Sequence, residues 1–332
     1  MKRSYYSVLK YLILLVAGIG LLFIAFKGQD FTKLILDLQK ANYNWIFASI
    51  LVGAMAHILR AYRWRMMINT LGYGRPALLN TILAVFTGYL ANLAFPRMGE
   101  VSRCGVLHKT DNIPLVKLIG TVVAERIIDV LMLFLITLAG ILIQFNLLSE
   151  FIYKNVLIKL NSQSAGSSVL MLTILLISLI IAAIVLIIRK MRPGIFLKIF
   201  DLISDIQSGI LSVRTINYKG LFIFYSLSIW GLYGLSAYLS FFALKSTAEL
   251  GFTEAISTLI FSSFAMIAPV QGGIGAYHWM VSEGLTIYGI AKSDGLTYAL
   301  ITHSAQTLIV LLGGSISLIM LFIRSSKVKE NE

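Results

Sequence analysis

Charged side chains are scarce in this chain of 332 residues. Asp, Glu, Lys and Arg make up 13% of it, whereas 58% of the residues are apolar. An ordinary soluble domain is about a quarter charged and nearer half apolar. So few charges could not cover the surface of a soluble globule, which excludes a soluble enzyme. The excess of apolar surface predicts a protein that lies in lipid.

Cysteine is almost absent, since Cys104 is the only one. A disulfide framework and a cysteine-rich metal site are therefore excluded, and nothing else in the sequence predicts a metal or a cofactor. Acidic residues are also few, at 15 against 28 Lys and Arg, which gives a net charge of +13. Because the basic residues lie between apolar runs, we attribute them to membrane orientation and anionic headgroups rather than to nucleic acid.

Eight long apolar runs cover most of the chain. They fall at about 11–26, 45–59, 77–95, 115–145, 168–188, 219–244, 254–268 and 296–323. The runs at 77–95 and 254–268 end at Pro96 and Pro269, and the second is too short to span alone. We therefore predict an all-α polytopic membrane protein with about six full spans and two Pro/Gly-broken re-entrant hairpins. The first run lacks a signal-peptide cleavage site, so we expect it to be retained as a helix.

The basic residues indicate how the chain is oriented. With the N-terminus inside and two hairpins that return to their own side, 20 of the 28 basic residues are cytoplasmic and seven lie opposite, with Arg126 inside a span. That bias agrees with the positive-inside rule. Counting every run as a full span weakens the bias but keeps both termini inside. We expect a multi-pass protein of the cell (plasma or inner) membrane with both termini cytoplasmic.

This topology contains a symmetry. A span, a hairpin and a second span follow one another at about 45–145 and again at 219–323, in opposite orientation. An inverted repeat with Pro/Gly-interrupted segments in matching positions is typical of transporter binding sites. No linker divides residues 1–332, so we predict a single domain. Residues 146–167 are predicted to form a loop. Residues 193–216 suit an amphipathic helix on the inner leaflet or a helical connector.

The first group of candidate binding residues surrounds Pro96, where irregular backbone at membrane depth needs protein or a cavity around it. Its other members are Asn92, Arg97, Gly99, Glu100 and Arg103. A half-helix that starts here would direct its positive end, flanked by Arg97 and Arg103, at an anion such as a lipid phosphate. The alternative is an ordinary interfacial loop whose basic residues face headgroups.

A second group lies in the middle of an apolar run. It consists of Glu125, Arg126 and Asp129, and unpaired charges at the bilayer centre cost about 2.5–3.5 kcal/mol each. The three residues can form an internal ion-pair cluster because they lie within one helical turn. They either surround a polar cavity beside the first hairpin or pin helices together. In both cases they face the protein interior.

The third group follows the second proline. It comprises Pro269, Gln271, Gly272, Gly273, Gly275 and His278, with His303 predicted to line the same cavity. The glycines let backbone N–H groups approach a ligand, or they allow tight helix packing. For His303 a satisfied core position is an interpretation with at least as much support. The run Arg60, Arg63, Trp64 and Arg65 is interpreted as a positive-inside anchor rather than a substrate clamp.

These motifs resemble a known family. The sequence from Gly88 to Arg103, Glu125-Arg126-Ile127-Ile128-Asp129, and the sequence from Pro269 to Gly275 look like the flippase-like membrane region of the lysylphosphatidylglycerol synthase/flippase family. The resemblance implies a polytopic protein with two re-entrant hairpins that helps to move a lipid between leaflets. Bifunctional members continue into a soluble aminoacyl-transferase domain, but this chain ends at Glu332, so we expect no lipid aminoacylation. Members often have Glu where this chain has His278.

Three functions remain open at this stage. The leading hypothesis is a non-enzymatic lipid translocase, whose substrate headgroup crosses in a polar cavity between the hairpins. Arg97, Arg103 and Arg126 would attract the phosphate, while Glu100, Glu125 and Asp129 would balance those charges or meet a cationic headgroup. The alternatives are an intramembrane transferase with a lipid-linked donor and an accessory subunit. The expected partner is a phospholipid or lipid-linked substrate, with a homo-oligomer left open.

Overall fold

The computed structural model of the protein describes residues 15–145, 147, 216–268 and 270–330. Every regular element in these ranges is helical, which confirms the all-α prediction. The elements are α1 (Leu15–Phe26), α2 (Phe31–Lys40), α3 (Tyr43–Asn69), α4 (Leu78–Ala94), α5 (Met98–Asp111), α6 (Leu115–Ile143), α7 (Lys219–Phe241), α8 (Phe252–Ala265), α9 (Ala276–Thr286) and α10 (Lys292–Glu330). A single 3₁₀ turn, Gln271–Gly273, precedes α9.

Within the described ranges four helices are long and apolar enough to cross a membrane: α3, α6, α7 and α10. The 29 residues of α6 extend about 43 Å, which exceeds the hydrocarbon core of about 30 Å. Helices α1 and α2 together could form a fifth span, although they meet at 90°. The protein is therefore an α-helical polytopic membrane protein. The span predicted at 168–188, the loop at 146–167 and the amphipathic helix at 193–216 lie outside the described residues.

The helix boundaries follow from local capping chemistry. Asp30 Oδ1 accepts hydrogen bonds from the backbone N–H groups of Thr32 and Lys33, at 2.8 and 3.3 Å, and so caps α2. The side chain of Asn42 caps α3 in the same way. At the C-terminal end of α5, Asn112 adopts the left-handed conformation, with φ of 53°. Local chemistry thus fixes where α2 and α3 start and where α5 stops.

Close packing between the helices depends on small residues. A methyl group added at Gly313 would lie 2.5 Å from the Phe86 ring, and one added at Gly314 would lie 2.5 Å from Leu90 Cβ. Helix α10 therefore presses directly on α4, as small residues allow in membrane bundles. Helix α3 packs on α7, α4 on α5, and α9 on α10. The bundle thus brings α3, α4, α5 and α6 together around one interior.

Polarity is distributed the opposite way from a soluble protein. Large apolar side chains such as Phe134, Leu142 and Phe322 are more than 60% exposed, whereas Arg63 and Glu125 have no exposed surface. Lipid can cover the outer apolar faces, but it offers no partner to a charge. The described bundle therefore keeps Arg63 and Glu125 in its interior.

The order of helix lengths is the same in the two parts of the chain. The series α3, α4, α5, α6 runs long, short, short, long, and so does the series α7, α8, α9, α10. The single domain over 1–332 and the inverted relation of its halves (about 45–145 and 219–323) stay predictions, because helix order alone does not define orientation or domain limits.

Candidate functional site

Two buried carboxylates form the centre of the site. Glu125 and Asp129 lie one turn apart on α6 and project from the same face of the helix. Glu125 has no exposed surface and Asp129 is buried. Ionised carboxylates at such positions need cations and hydrogen-bond donors around them.

Helix α3 supplies the first two cations. Arg60 Nη1 donates to Asp129 Oδ2 at 2.7 Å and to Glu125 Oε1 at 3.0 Å. Arg63 Nη2 donates to Asp129 Oδ1 at 2.6 Å and to Glu125 Oε1 at 3.3 Å. Because Arg60 and Arg63 are three residues apart, they present their guanidinium groups on one face of α3. Both arginines are buried. The interpretation of Arg60 and Arg63 as a surface anchor is therefore wrong.

Helix α5 supplies the third cation. Arg103 Nη2 lies 2.7 Å from Glu125 Oε2, and the Arg103 guanidinium carbon lies 4.6 Å from the centre of the Trp64 ring. Trp64 is held in turn by a hydrogen bond from its Nε1 to Thr121 Oγ1, at 2.9 Å. Arg103 is thus placed by both an ion pair and a cation–π contact. Trp64 belongs to this interior and not to an aromatic belt.

This cluster has more positive than negative charge. Three guanidinium groups, of Arg60, Arg63 and Arg103, meet the two carboxylates of Glu125 and Asp129. The Nε atoms of all three arginines are buried and have no hydrogen-bond partner in the part of the chain that the structure describes. A buried charge of this kind is costly to keep. The cluster joins α3, α5 and α6 at one level of the bundle.

A fourth arginine extends the network towards the surface. Arg126 Nη2 donates to Glu100 Oε1 at 2.8 Å, while its Nη1 lies 3.9 Å from Asp129 Oδ2. The Arg126 side chain is 43% exposed, unlike the three arginines of the cluster. The second oxygen of Glu100, Oε2, is buried without a hydrogen-bond partner among the described residues. The Glu100–Arg126 pair is therefore incompletely satisfied.

This pair lies in a cleft between α5 and α6. The cleft has a volume of about 390 Å³, within the range of about 300–1,000 Å³ that is usual for small-molecule pockets. Glu100 and Arg126 supply its charges, and the rest of its lining is aliphatic: Val101, Ile119, Val122, Val123, Ile127 and Val130. Ile127 and Val130 are at least half exposed on the outer face of α6. The cleft thus joins a lipid-facing surface to an ion pair.

The turn of the first hairpin is built from backbone constraints. Arg97 adopts the left-handed conformation (φ 63°) just before α5, and it is exposed. Asn92 Oδ1 accepts a hydrogen bond from the backbone N–H of Gly99, at 2.7 Å. Asn92 therefore satisfies the start of α5, and neither Asn92 nor Arg97 takes part in the buried ion cluster. Pro96 lies between them in the turn.

The second motif forms a separate group. Gly272, Gly273 and Gly275 all have positive φ, between 57° and 81°. The carbonyl of Gly272 lies 2.8 Å from His303 Nε2, which pairs α10 with the turn. Pro269 lies outside the described residues, and Gln271 is buried in the 3₁₀ turn. These glycines allow the chain to reverse closely against its neighbours.

Aromatic rings complete this second group. The His303 ring stacks on the Tyr277 ring, with 4.8 Å between the ring centres. It packs edge-on against the His278 ring, with 4.9 Å between the centres. Tyr277 Oη donates to Thr302 Oγ1 at 3.2 Å. His278 Nδ1 is buried and has no hydrogen-bond partner within the described ranges. The predicted site residues thus fall into an ion network on α5 and α6, which arginines of α3 complete, and an aromatic–histidine group at the second turn. Asn92 and Arg97 belong to neither group and lie at the first turn.

Arg60 and Arg63 are the functional candidates that sequence reasoning missed. The signal that could have found these two arginines is the balance of acidic and basic residues along the run 115–145. Arg126 is the one cation within two turns of Glu125 and Asp129 on their own run, since Lys117 lies near its start, so the two carboxylates required further partners from another span. Two arginines three residues apart near the end of an earlier apolar run were the natural source. In the described ranges, no three His, Cys, Asp or Glu side chains lie close enough to hold a metal ion.

Comparison with known proteins identifies the family of this chain. Residues 8–314 match the family described as the lysylphosphatidylglycerol synthase TM region, so the chain belongs to that family and is a membrane protein of it. It is also similar to a UPF0104 membrane protein of Methanocaldococcus jannaschii, with 30% identity over 117 residues. That match covers 34% of each of the two proteins. The chain therefore spans about a third of the length of this relative. No solved structure matches the chain.

Proposed function

We propose that this protein is a flippase-like lipid translocase, which carries a phospholipid or lipid-linked headgroup between the leaflets. The observation that carries the proposal is the cleft between α5 and α6. Its aliphatic walls open on the lipid-facing side of α6, and its inner end holds the half-exposed Arg126 beside Glu100. A lipid has the same two parts, an apolar chain and a polar headgroup. Family membership supports the same interpretation.

In this proposal the headgroup enters the cleft sideways while the acyl chains stay in the bilayer. Arg126 attracts the phosphate because a guanidinium makes strong, paired hydrogen bonds to phosphate oxygens. Glu100, which then loses part of its contact with Arg126, meets donors or a cation on the headgroup. Since ionised groups in the bilayer core are costly, this exchange keeps both charges compensated during passage.

The ion cluster has a positioning role in this mechanism. Arg60, Arg63 and Arg103 are all bound to Glu125 or Asp129, so they hold α3, α5 and α6 at a fixed spacing. The short helices α4 and α8 support a re-entrant arrangement, because at 17 and 14 residues they extend only about 26 and 21 Å. A polar path between the two hairpins would then continue from the cleft.

The test is leaflet exchange of fluorescent phospholipids in liposomes that contain the purified protein. We expect protein-dependent exchange that falls at least about tenfold in Glu100→Gln and in Arg126→Gln, since each loses a charge-assisted hydrogen bond. Glu283→Gln and Lys292→Gln are the matched controls. They remove the same charges from a half-exposed ion pair outside the cleft, and we expect them to keep full exchange.

The outcome separates the three hypotheses. Exchange that is lost in the cleft variants and kept in the controls supports translocation through the cleft. Exchange that is equal in all five proteins contradicts the site. If no lipid class exchanges in any protein, translocation is wrong, and a transferase or an accessory subunit takes its place.

A further inference from the structure

A small pocket lies at the C-terminal end of α3, away from the cleft. Its volume is about 60 Å³. The lining comes from α3, from the segment that follows it and from the start of α7: Tyr62, Arg65, Met66, Asn69, Arg75, Leu221 and Tyr225. A pocket for a whole small molecule is about five times larger or more. This one has room for a single small group.

The backbone brings two arginines to this pocket. Gly72 and Gly74 have φ of 78° and 87°, which turns the chain back after the end of α3. Arg65 Nε donates to the carbonyl of Pro76 at 2.7 Å, and this bond ties the returning segment to α3. Arg75 precedes Pro76 directly, so it is held beside Arg65.

These two arginines lack the counterions that the interior arginines have. Arg60, Arg63, Arg103 and Arg126 each lie within 4 Å of a carboxylate. In the part of the chain that the structure describes, neither Arg65 nor Arg75 forms an ion pair within 4 Å. Asp111, the carboxylate near Arg65, lies outside the lining and accepts hydrogen bonds from the Ala77 N–H and the Asn80 amide. Two like charges held together without a counterion attract an anion.

The remaining polar groups of the pocket are also hydrogen-bond donors. The Tyr62 and Tyr225 rings pack together, with their centres 5.9 Å apart, and form one wall. Their hydroxyl groups and the Asn69 amide have no hydrogen-bond partner among the described residues. Leu221 and Met66 add an apolar rim. Two guanidinium groups, two hydroxyls and an amide beside an apolar rim are the chemistry that a phosphate attached to an apolar group requires.

We propose that this pocket binds a phosphate group, either the headgroup of an anionic lipid or a free phosphate. Arg65 and Arg75 provide the charge, and Asn69, Tyr62 and Tyr225 provide further hydrogen bonds. The site does not depend on lipid translocation and is separate from Glu100 and Arg126. Under the predicted topology it faces the cytoplasmic side, where anionic lipid is concentrated.

The test uses the purified full-length protein and two probes. The first is inorganic phosphate, titrated while thermal unfolding is followed at constant ionic strength. The second is phosphatidylglycerol, whose retention over phosphatidylcholine is measured in mixed nanodiscs. The variants are Arg75→Gln, which removes an exposed charge, and Arg75→Lys, which keeps the charge but not the forked geometry. Lys109→Gln is the control, because Lys109 is an exposed cation predicted on the same side.

We expect Arg75→Gln to lower the affinity for the probe that the wild-type protein binds by about tenfold. Arg75→Lys should lower that affinity less, and Lys109→Gln should leave it unchanged. Retention of phosphatidylglycerol that inorganic phosphate does not displace assigns the pocket to a lipid headgroup. Stabilisation by phosphate without lipid preference assigns it to a soluble phosphate. If Arg75→Gln and Lys109→Gln behave alike, or neither probe binds, the site is refuted. Loss of leaflet exchange in liposomes would not change this result, since the two assays use different residues.

Discussion

At the scale of single residues, Glu125 has the most partners in the ion cluster. It lies within 3.3 Å of Arg60, Arg63 and Arg103 and has no exposed surface. Removing one member of a buried ion network is more damaging than the pair is stabilising, because the partner charges stay buried without compensation. The effect of a substitution here is therefore structural as well as functional.

We predict that Glu125→Gln lowers the free energy of unfolding by about 3–5 kcal/mol, since it leaves Arg60 and Arg63 with Asp129 alone and Arg103 without its carboxylate. The measurement is equilibrium unfolding in detergent. The control Glu283→Gln, in a half-exposed pair with Lys292, should cost about 1 kcal/mol or less. A loss no larger in Glu125→Gln than in Glu283→Gln would show that the cluster does not hold the helices.

The same cluster shows what can be predicted at this scale. Glu125 and Asp129 could be assigned to an interior ion cluster from one run of sequence, because charges in an apolar run must be paired. Arg126, which was predicted to face the interior with them, has a side chain that is 43% exposed. The contribution of Arg60 and Arg63 could not be derived from spacing. Their position near the end of a run is equally typical of an interfacial anchor, and only the packing of α3 on α6 distinguishes the two.

At the scale of helices, the first hairpin depends on a close approach of two backbones. A methyl group at Gly99 would lie 2.1 Å from the carbonyl oxygen of Gly88 and 2.6 Å from the Asn92 amide. Because one of these neighbours is backbone, it cannot move aside as a flexible side chain could. The spacing of α4 and α5, and with it one wall of the cleft, therefore requires glycine at 99.

We predict that Gly99→Ala destabilises the protein by about 1–3 kcal/mol and impairs lipid exchange, because α4 and α5 must separate. Gly105→Ala provides the control within α5, since nothing lies within 4 Å of the added methyl group there. That change should be neutral or stabilising by up to about 1 kcal/mol. Similar unfolding midpoints for the two variants would contradict the close approach.

Sequence reasoning succeeded where a helix ends for a local reason and failed where a distant contact decides. The end of α4 before Pro96 and the start of α5 follow from proline and glycine chemistry. The 90° bend between α1 and α2 was not predicted, because its local signals, Gly28 with φ of 76° and the Asp30 cap, do not define the angle at which α2 leaves α1. A methyl group at Gly275 would lie 2.3 Å from the carbonyl oxygen of Gly18, which shows how closely α1 lies against the second turn.

At the scale of the whole molecule, orientation in the membrane can be tested with introduced cysteines, because the chain has a single native one. Cys104 is fully buried, so we expect membrane-impermeant maleimides to leave it unlabelled. Lys245→Cys and Lys109→Cys introduce exposed thiols on predicted opposite sides of the membrane. In intact cells we expect labelling at 245 and none at 109 until the membrane is permeabilised. Labelling of both positions, or of 109 alone, would contradict the hairpin topology.

The buried arginines also constrain how the protein is made. Arg60 and Arg63 are separated from their carboxylate partners by 62 to 69 residues. When α3 leaves the ribosome, its counterions on α6 have not yet been synthesised, and each guanidinium alone costs about 2.5–3.5 kcal/mol at the bilayer centre. We therefore expect α3 to become stable in the membrane only once α6 has been inserted beside it, which would couple the insertion of the two helices.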